Sequence, residues 1–414
     1  MVHYHLSYVD KDSSGKWDKM TGKSRFSCQV LCPRFLNEAL LLPHRITEKG
    51  NVGGVVDSEG HFVIGSGWKE NDEGVYDYDE ANVVEDDAVA IYIGLFNPTW
   101  GHVITDGLKK LWYLHTDECK KLIANGAKVV YSTVFGEPFP EYERRIFELA
   151  VGKDVEDFVL LTEPTRFRTL IVPDNSIYLA NDNLYFTKEY VQMIHLIQSR
   201  TKQPVENLPK KIYFTRCGLV KYEQEMGELS IMRLFHRLGY AIYAPERLSV
   251  DEQIALLKNC EEFVATEGSI SHSSIFCKPN TKIVLLRKFD YFNKYSFLIN
   301  EAAQLDVTYI DVHKTSARVK SDHWGPYYLY IGWNLVRWTK KCLFFLPYWL
   351  RPSYFWYCHR YDPFIVEKIR NRKFYHRLED YTKKRQLRMV NRVLSKASDD
   401  QRDFYFDKYG ILRS

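Results

Sequence analysis

Residues 211–288 alternate strand-like and helix-like segments, and this alternation limits the possible folds more than any other feature of the chain. Four apolar runs with the composition of buried strands alternate with segments that contain helical patterns of ten or so residues. The runs are KIYFTR (211–216), YAIYAP (240–245), EEFVATEG (261–268) and TKIVLLRK (281–288). Such alternation predicts a parallel sheet with helices on both faces, whose ligands bind beyond the carboxyl ends of the strands.

A turn of small residues follows the third of these strands. It reads Glu267-Gly268-Ser269-Ile270-Ser271-His272-Ser273 and leads into a short helix that ends near Cys277. Backbone N–H groups at such a turn favour an anion, and Gly268 permits close approach of the backbone to it. The side chains of Ser269, Ser271, His272 and Ser273 are candidate donors to phosphate oxygens.

Two further residues of this region are candidates for the same site. Arg216 ends the first strand, and its guanidinium suits a diphosphate. Glu267 is unsuited to phosphate, so it is expected either to hold a ribose or sugar hydroxyl or to pair with Arg216.

A second block with candidate catalytic residues lies earlier, just after the apolar strand AVAIYIGLF (88–96). It reads NPTWGHVITDGL (97–108), and its His102 and Asp106 are four residues apart. On a helix this spacing places both side chains on one face, at the carboxyl end of a strand. Either residue could act as a general base; His102 is preferred and Asp106 second, and Asp106 could instead orient His102. A purely structural pair is the alternative.

The ordered set of these segments resembles glycosyltransferase family 61. Arg216 after a strand, Glu228 opening the next helix, the SVDEQI segment (249–254) and the turn running to Pro279 resemble the second part of that family's catalytic region. The block from Asn97 to Asp106 resembles its Asn…His…Asp block. The resemblance spans residues 88–288, although Glu267 to Ser273 stand where the family usually carries His-Gly-Ala-Gly-Leu-Thr-Asn.

The resemblance implies an α/β fold of the GT-B type, in which two Rossmann-like, doubly wound domains face a cleft. We therefore expect an acceptor-side domain over residues 1–200 and a nucleotide-sugar-binding domain over 201–322. A polar stretch containing Pro204 and Pro209 would join them. A basic, aromatic helical region would occupy 323–414.

The C-terminal region differs in charge from the rest of the chain. From Trp324 to Ser414 there are 19 Lys and Arg against 8 Asp and Glu, while the whole chain carries only +4. Its aromatic clusters are interrupted by Arg and Lys, so no run is long enough to span a bilayer. Residues 324–385 are predicted to lie on the inner membrane surface, or alternatively to pack back on the two domains. No signature of a nucleic-acid-binding module is present.

Compartment and cofactors follow from simpler features. The N-terminal segment lacks a basic region followed by a long apolar run, and the eight cysteines form no CxxC pair. A cytoplasmic protein with free thiols, peripheral at the inner face of the plasma membrane, is expected. Neither block contains an Asp-x-Asp sequence, and Asp77-Tyr78-Asp79 lies in a polar loop outside them, so no metal and no cofactor are expected.

The predicted function is inverting, metal-independent transfer of a sugar from a nucleotide sugar, with UDP favoured, to a growing surface polysaccharide, either free or lipid-linked. Bacterial members of the family serve capsule and surface-polysaccharide assembly. Two alternatives remain open: another polysaccharide-modifying transferase of the pyruvyl or phosphoryl type, and a catalytically silent glycan-assembly scaffold.

Overall fold

The computed structural model describes residues 2–9, 15–48, 50–68, 74–202, 207–216, 225–226, 228–288, 292–312, 327–329 and 331–340. The strands are β1 (His3–Tyr8), β2 (Pro33–Thr47), β3 (Gly50–Val56), β4 (Val84–Phe96), β5 (Lys128–Thr133), β6 (Val159–Leu160), β7 (Thr165–Pro173), β8 (Ile177–Ala180), β9 (Asn183–Phe186), β10 (Lys211–Phe214), β11 (Glu225–Met226), β12 (Ala241–Tyr243), β13 (Glu262–Thr266), β14 (Lys282–Arg287), β15 (Asp306–Asp311) and β16 (Tyr327–Tyr328). The α-helices are α1 (Lys16–Thr21), α2 (Trp100–Val103), α3 (Asp117–Ala124), α4 (Glu141–Val151), α5 (Lys188–Arg200), α6 (Glu228–Arg237), α7 (Val250–Asn259), α8 (Lys294–Ala302) and α9 (Trp333–Lys340). Short 3₁₀ helices cover Glu80–Asn82, Leu111–His115, Pro245–Arg247 and Ser269–Phe276.

The predicted βα run forms a six-stranded parallel sheet in the order β12-β10-β13-β14-β15-β1. We call it the second sheet, because most of its strands come from the later part of the chain. Side chains alternate between its two faces, as a strand repeat of two requires. One set, including Phe214 and Leu285, packs in a core with α7 and α8. The other set, including Tyr213 and Val284, packs in a separate core with α6 and α9. Helices therefore cover both faces, which confirms the doubly wound prediction for this sheet.

The other six-stranded sheet, which we call the first sheet, is mixed and has the order β3-β2-β7-β4-β5-β6. Strands β7, β4, β5 and β6 are parallel, whereas β2 runs antiparallel to both β3 and β7. Only two residues separate β2 from β3, and so short a connection can join only antiparallel neighbours. The fold is therefore mixed α/β with parallel strands in both sheets; the GT-B arrangement stays a prediction.

The first strand belongs to the second sheet. Residues 3–8 pair in parallel with β15, and His5 Nε2 lies 2.7 Å from Asp306 Oδ1. The first domain predicted over residues 1–200 therefore contributes its opening strand to the sheet predicted within 201–322. No alternation or motif in a six-residue segment indicates a partner three hundred residues away.

Helix α9 is the described part of the predicted C-terminal region that forms a helix. Leu335 is buried in the same core as Tyr8 and Ile310, and Trp338 packs against that core, so α9 packs on the second sheet. Residues 341–414, and with them most of the predicted membrane segment, lie outside the described residues. No helix within the described ranges is long and apolar enough to cross a membrane.

A continuous apolar core connects the two sheets. Residues such as Ile93 of β4 and Phe147 of α4 belong to the same buried cluster as Ile254 of α7 and Phe297 of α8. At its margin Arg145 forms a bidentate ion pair with Asp251, at 2.7 and 3.1 Å. This packing brings the carboxyl end of β4 close to the carboxyl ends of β10 and β13.

Candidate active site

The loop after β4 places His102 and Asp106 at the carboxyl end of that strand. The Asn97 carboxamide oxygen accepts the Thr99 N–H at 2.8 Å, and a single helical turn, α2, then begins. The backbone tightens after α2, where the His102 carbonyl accepts the Gly107 N–H at 2.8 Å. This compact turn keeps the two side chains on one side, as their spacing predicts.

His102 and Asp106 form a short hydrogen bond that fixes the imidazole. His102 Nδ1 lies 2.6 Å from Asp106 Oδ2, and the Tyr295 hydroxyl donates to the other carboxylate oxygen at 3.0 Å. Burial acts to raise the pKa of Asp106, but the His102 hydrogen bond, the Lys109 charge and Tyr295 together hold it below its usual value. Asp106 is thus ionised and can only accept, so the His102 Nδ1–H donates this bond and Nε2 is the ring nitrogen turned away from the carboxylate.

A second histidine, from the glycine-serine turn, lies beside this pair. Burial, helped by the His102 charge and opposed by that of Asp106, lowers the pKa of His272 to about 3, so its ring is neutral. The Asn293 carboxamide oxygen accepts the Tyr295 N–H, which turns its NH₂ group toward His272 Nε2 at 3.3 Å. An NH₂ group only donates, so the His272 proton is on Nδ1, and this buried nitrogen has no hydrogen-bond partner within the described ranges.

The two blocks are in direct contact. A Cβ atom at Gly101 would lie 2.9 Å from His272 Nδ1 and 3.0 Å from Ser269 Oγ. The Trp100 indole N–H donates to Ser273 Oγ at 2.8 Å. Gly101 is therefore required by the close approach of the two sheets, and the candidate base and the candidate anion turn share one site.

The turn itself has the conformation that its glycine predicts. Gly268 has φ +136°, which side-chain-bearing residues rarely adopt. Ser271 accepts the Gly268 N–H at 3.2 Å and donates to the Gly268 carbonyl at 2.7 Å. Its hydroxyl proton thus shapes the turn, and the 3₁₀ helix Ser269–Phe276 follows.

Two cations lie beside Gly268. A Cβ at that position would be 3.3 Å from Lys288 Nζ and 3.8 Å from Arg216 Nη1. Both side chains are at least nine-tenths buried. Buried Glu228 accepts the Arg216 N–H at 3.0 Å and the Thr215 hydroxyl at 2.9 Å, so the acidic residue that opens α6 anchors the end of β10.

Glu267 is buried next to these cations. Burial, with Arg287 and Lys288 opposing and Asp311 adding to it, raises the pKa of Glu267 to about 7. Its ion pair is with Arg287 at 3.7 Å, and Arg287 is held more closely by Asp311 at 2.6 Å. The expected pairing of Glu267 with Arg216 is therefore replaced by one with Arg287.

All nine predicted site residues lie around this junction of the two sheets. Three residues that sequence reasoning missed are also there: Lys288, Tyr295 and Asn293. Lys288 ends a strand that was identified, and its place at the carboxyl end of a parallel strand is the signal that could have found it. Tyr295 and Asn293 follow that strand by several residues and carry no motif. Across the described residues, no group of three or more His, Cys, Asp or Glu side chains has a geometry that could hold a metal ion.

Comparison with known proteins gives one family match. Residues 100–284 match the model of Glycosyltransferase 61, which covers both blocks of the site. A bacterial iron-containing dodecameric glycosyltransferase, TibC from enterotoxigenic Escherichia coli, is similar with 13% identity and a TM-score of 0.26, over 67% of this chain and 87% of that chain. TibC in complex with ADP-D-beta-D-heptose gives 11% identity and a TM-score of 0.24, over 64% and 79% of the two chains. No curated protein gives a significant match. The chain is a glycosyltransferase whose residues 100–284 belong to family 61.

Proposed function

We propose that this protein is an inverting, metal-independent and cofactor-free glycosyltransferase of GT-B architecture. It takes a sugar from a nucleotide sugar, with UDP favoured, and passes it to a growing glycan. The observation that carries the proposal is the contact of Gly101, next to His102, with His272 and Ser269 of the turn at Gly268, because it brings the candidate base to the candidate anion site.

Each group has a role in the proposed transfer. His102 Nε2 takes the proton of the acceptor hydroxyl, and Asp106 holds the resulting imidazolium. The departing diphosphate is stabilised by Arg216, Lys288 and the backbone of the turn, and the His272 Nδ1–H donates to one of its oxygens. Glu267 accepts from a ribose or sugar hydroxyl.

The nucleotide site is tested by calorimetric titration with UDP, GDP, CMP and dTDP in the presence of EDTA. We expect saturable binding of one nucleotide, with UDP first. If the folded protein binds none of the four, the proposal fails and the scaffold and non-nucleotide alternatives gain support.

Lys288→Met is expected to weaken binding of that nucleotide about 10- to 100-fold. A charge-assisted hydrogen bond to phosphate contributes about 1.5–3 kcal/mol, and a buried ammonium has no water to replace it. Lys282→Met is the matched control, because Lys282 is exposed at the opposite end of the same strand. Equal affinities for the two variants would remove Lys288 from the donor site.

We further propose that the acceptor is lipid-linked and that the predicted membrane segment 324–385 places the enzyme at the inner membrane surface through its part beyond α9, residues 341–385, since α9 itself packs on the second sheet. A truncation after Lys340 keeps α9 on its sheet, so the fold should survive. We expect the full chain to sediment with phosphatidylserine vesicles and the truncated protein to stay in the supernatant. Undiminished sedimentation of a folded truncated protein would contradict the membrane role.

A further inference from the structure

The Trp68 side chain, in the loop after β3 of the first sheet, lies beside the candidate base His102. The ring centroids of Trp68 and His102 are 5.7 Å apart, with 48° between their planes. The His44 ring lies 5.8 Å from Trp68, and His44 Nε2 is 2.8 Å from Asn51 Oδ1. Trp68, His44 and Asn51 are all half-buried, so each keeps part of its surface open to solvent.

The loop that carries Trp68 is held rigidly. Ser66 Oγ accepts the Val55 N–H at 2.8 Å and donates to the Val63 carbonyl at 2.6 Å. The hydroxyl of buried Tyr92 donates to the Ser66 carbonyl at 3.1 Å. These bonds fasten the loop to β3 and β4, and β4 also positions His102. Trp68 therefore has a fixed place relative to the base, as a binding site requires.

Glycines make this close attachment possible. A Cβ at Gly54 would be 2.8 Å from Ser66 Oγ, and one at Gly67 would be 2.8 Å from the Gly53 carbonyl. A Cβ at Gly74 would clash with that same carbonyl oxygen. Gly67 and Gly74 are therefore packed closely against the backbone of β3, and Trp68 directly follows Gly67.

The residues near His102 differ in chemical character between its second-sheet side and its first-sheet side. Toward the second sheet lie His272 and Tyr295, which accompany the anion turn. Toward the first sheet lie Trp68, His44 and Asn51, which together present an indole face bordered by an imidazole and a carboxamide. A pyranose has an apolar face that suits an indole ring and hydroxyl edges that suit polar neighbours.

From this arrangement we propose that Trp68, with His44 and Asn51, is the acceptor-sugar subsite and that it binds a pyranose ring. The inference rests on the proposed function, since it takes His102 as the base for an acceptor hydroxyl. Trp68 stacks on the apolar face of the sugar, while His44 and Asn51 contact its hydroxyls. The subsite thereby brings one hydroxyl to His102 from the side away from the donor diphosphate.

The test uses methyl glycosides of glucose, galactose and mannose, in both anomeric forms, as probes in saturation-transfer NMR with the full chain. Spectra are recorded with and without UDP. We expect transfer to the ring protons of at least one glycoside, an affinity about tenfold lower in Trp68→Ala, and a smaller loss in Trp68→Phe, which keeps an aromatic face. Phe35→Ala, which truncates a ring that is 50% exposed elsewhere on the first sheet, should change nothing.

Several results would overturn the subsite. These are unchanged glycoside affinity in folded Trp68→Ala, equal losses in Trp68→Ala and Phe35→Ala, and no transfer to any of the six glycosides in the unmodified protein. Binding of alkyl chains in place of the sugars, seen as transfer to octyl rather than ring protons of octyl glucoside, would indicate a lipid site instead. Failure to bind UDP concerns the proposed function alone, because the spectra without UDP decide on the subsite independently.

Discussion

His102→Ala is expected to lower kcat by about 10²- to 10⁴-fold while leaving nucleotide affinity within about twofold of the unmodified protein. The lost group takes the acceptor proton only as transfer proceeds, so its removal affects the transition state rather than donor binding. The measurement is release of nucleoside diphosphate from the sugar nucleotide selected by titration, at saturating donor.

His195→Ala provides the matched control for this variant. His195 is an exposed histidine on α5, outside the junction of the two sheets, and its removal should leave turnover unchanged. Full activity of folded His102→Ala would show that another group takes the proton. Loss of the folded state, seen as an early thermal transition, would show instead that the His102–Asp106 bond is structural.

Asp106→Asn is expected to reduce kcat about 10²- to 10³-fold with the fold retained. An asparagine NH₂ group facing His102 Nδ1 can only donate, so the imidazole proton would move to Nε2 and the base would lose its lone pair. The wild-type carboxylate has a pKa below its usual value, so it stays charged from neutral pH down to that lowered pKa. Its negative charge is lost only when the pH falls below this pKa. The wild-type activity should therefore show no loss from Asp106 titration between pH 5 and pH 8.

Two comparisons make the Asp106 result specific. Tyr295→Phe removes one of the two hydrogen bonds to the carboxylate and should cost less than Asp106→Asn, whereas Asp117→Asn, at an exposed site, should cost nothing. If the two residues act as a unit, the His102→Ala, Asp106→Asn double variant should be no slower than His102→Ala alone. Loss of activity in Asp106→Asn combined with normal activity in His102→Ala would make Asp106 the base.

The second sheet was predictable because its strands and helices are local. Each strand of residues 211–288 is a short apolar run between turn residues, and a parallel βα arrangement follows from their order alone. Arg216 and Gly268 could be placed on the same grounds, since both end neighbouring strands of such a sheet. The pairing of His102 with Asp106 needed only a spacing of four.

The first sheet was less predictable because its pattern is irregular. Strands β2 and β3 lack a steady alternation and were missed: β2 has a buried run between more exposed ends, and the last five residues of β3 are all buried. The apolar pattern of GHFVIGSG (60–67) predicts a strand, and this prediction is wrong: the segment contains a single bridge at Phe62 and turns at positive-φ Gly60 and Gly65. Trp68 follows this segment, and its approach to His102 depends on tertiary packing that no local signal reports.

The pairing of β1 with β15 also has a consequence for how the chain folds. The second sheet cannot be completed until residues 306–311 exist, although its edge strand is the first to be synthesised. Until then β1 has no partner, and afterwards β15 offers an open edge if β1 is delayed. Such distant pairing raises contact order and slows folding. Removal of residues 2–9 should therefore leave the candidate site's residues in the chain yet expose an aggregation-prone strand edge, so β1 protects that edge from pairing with other chains.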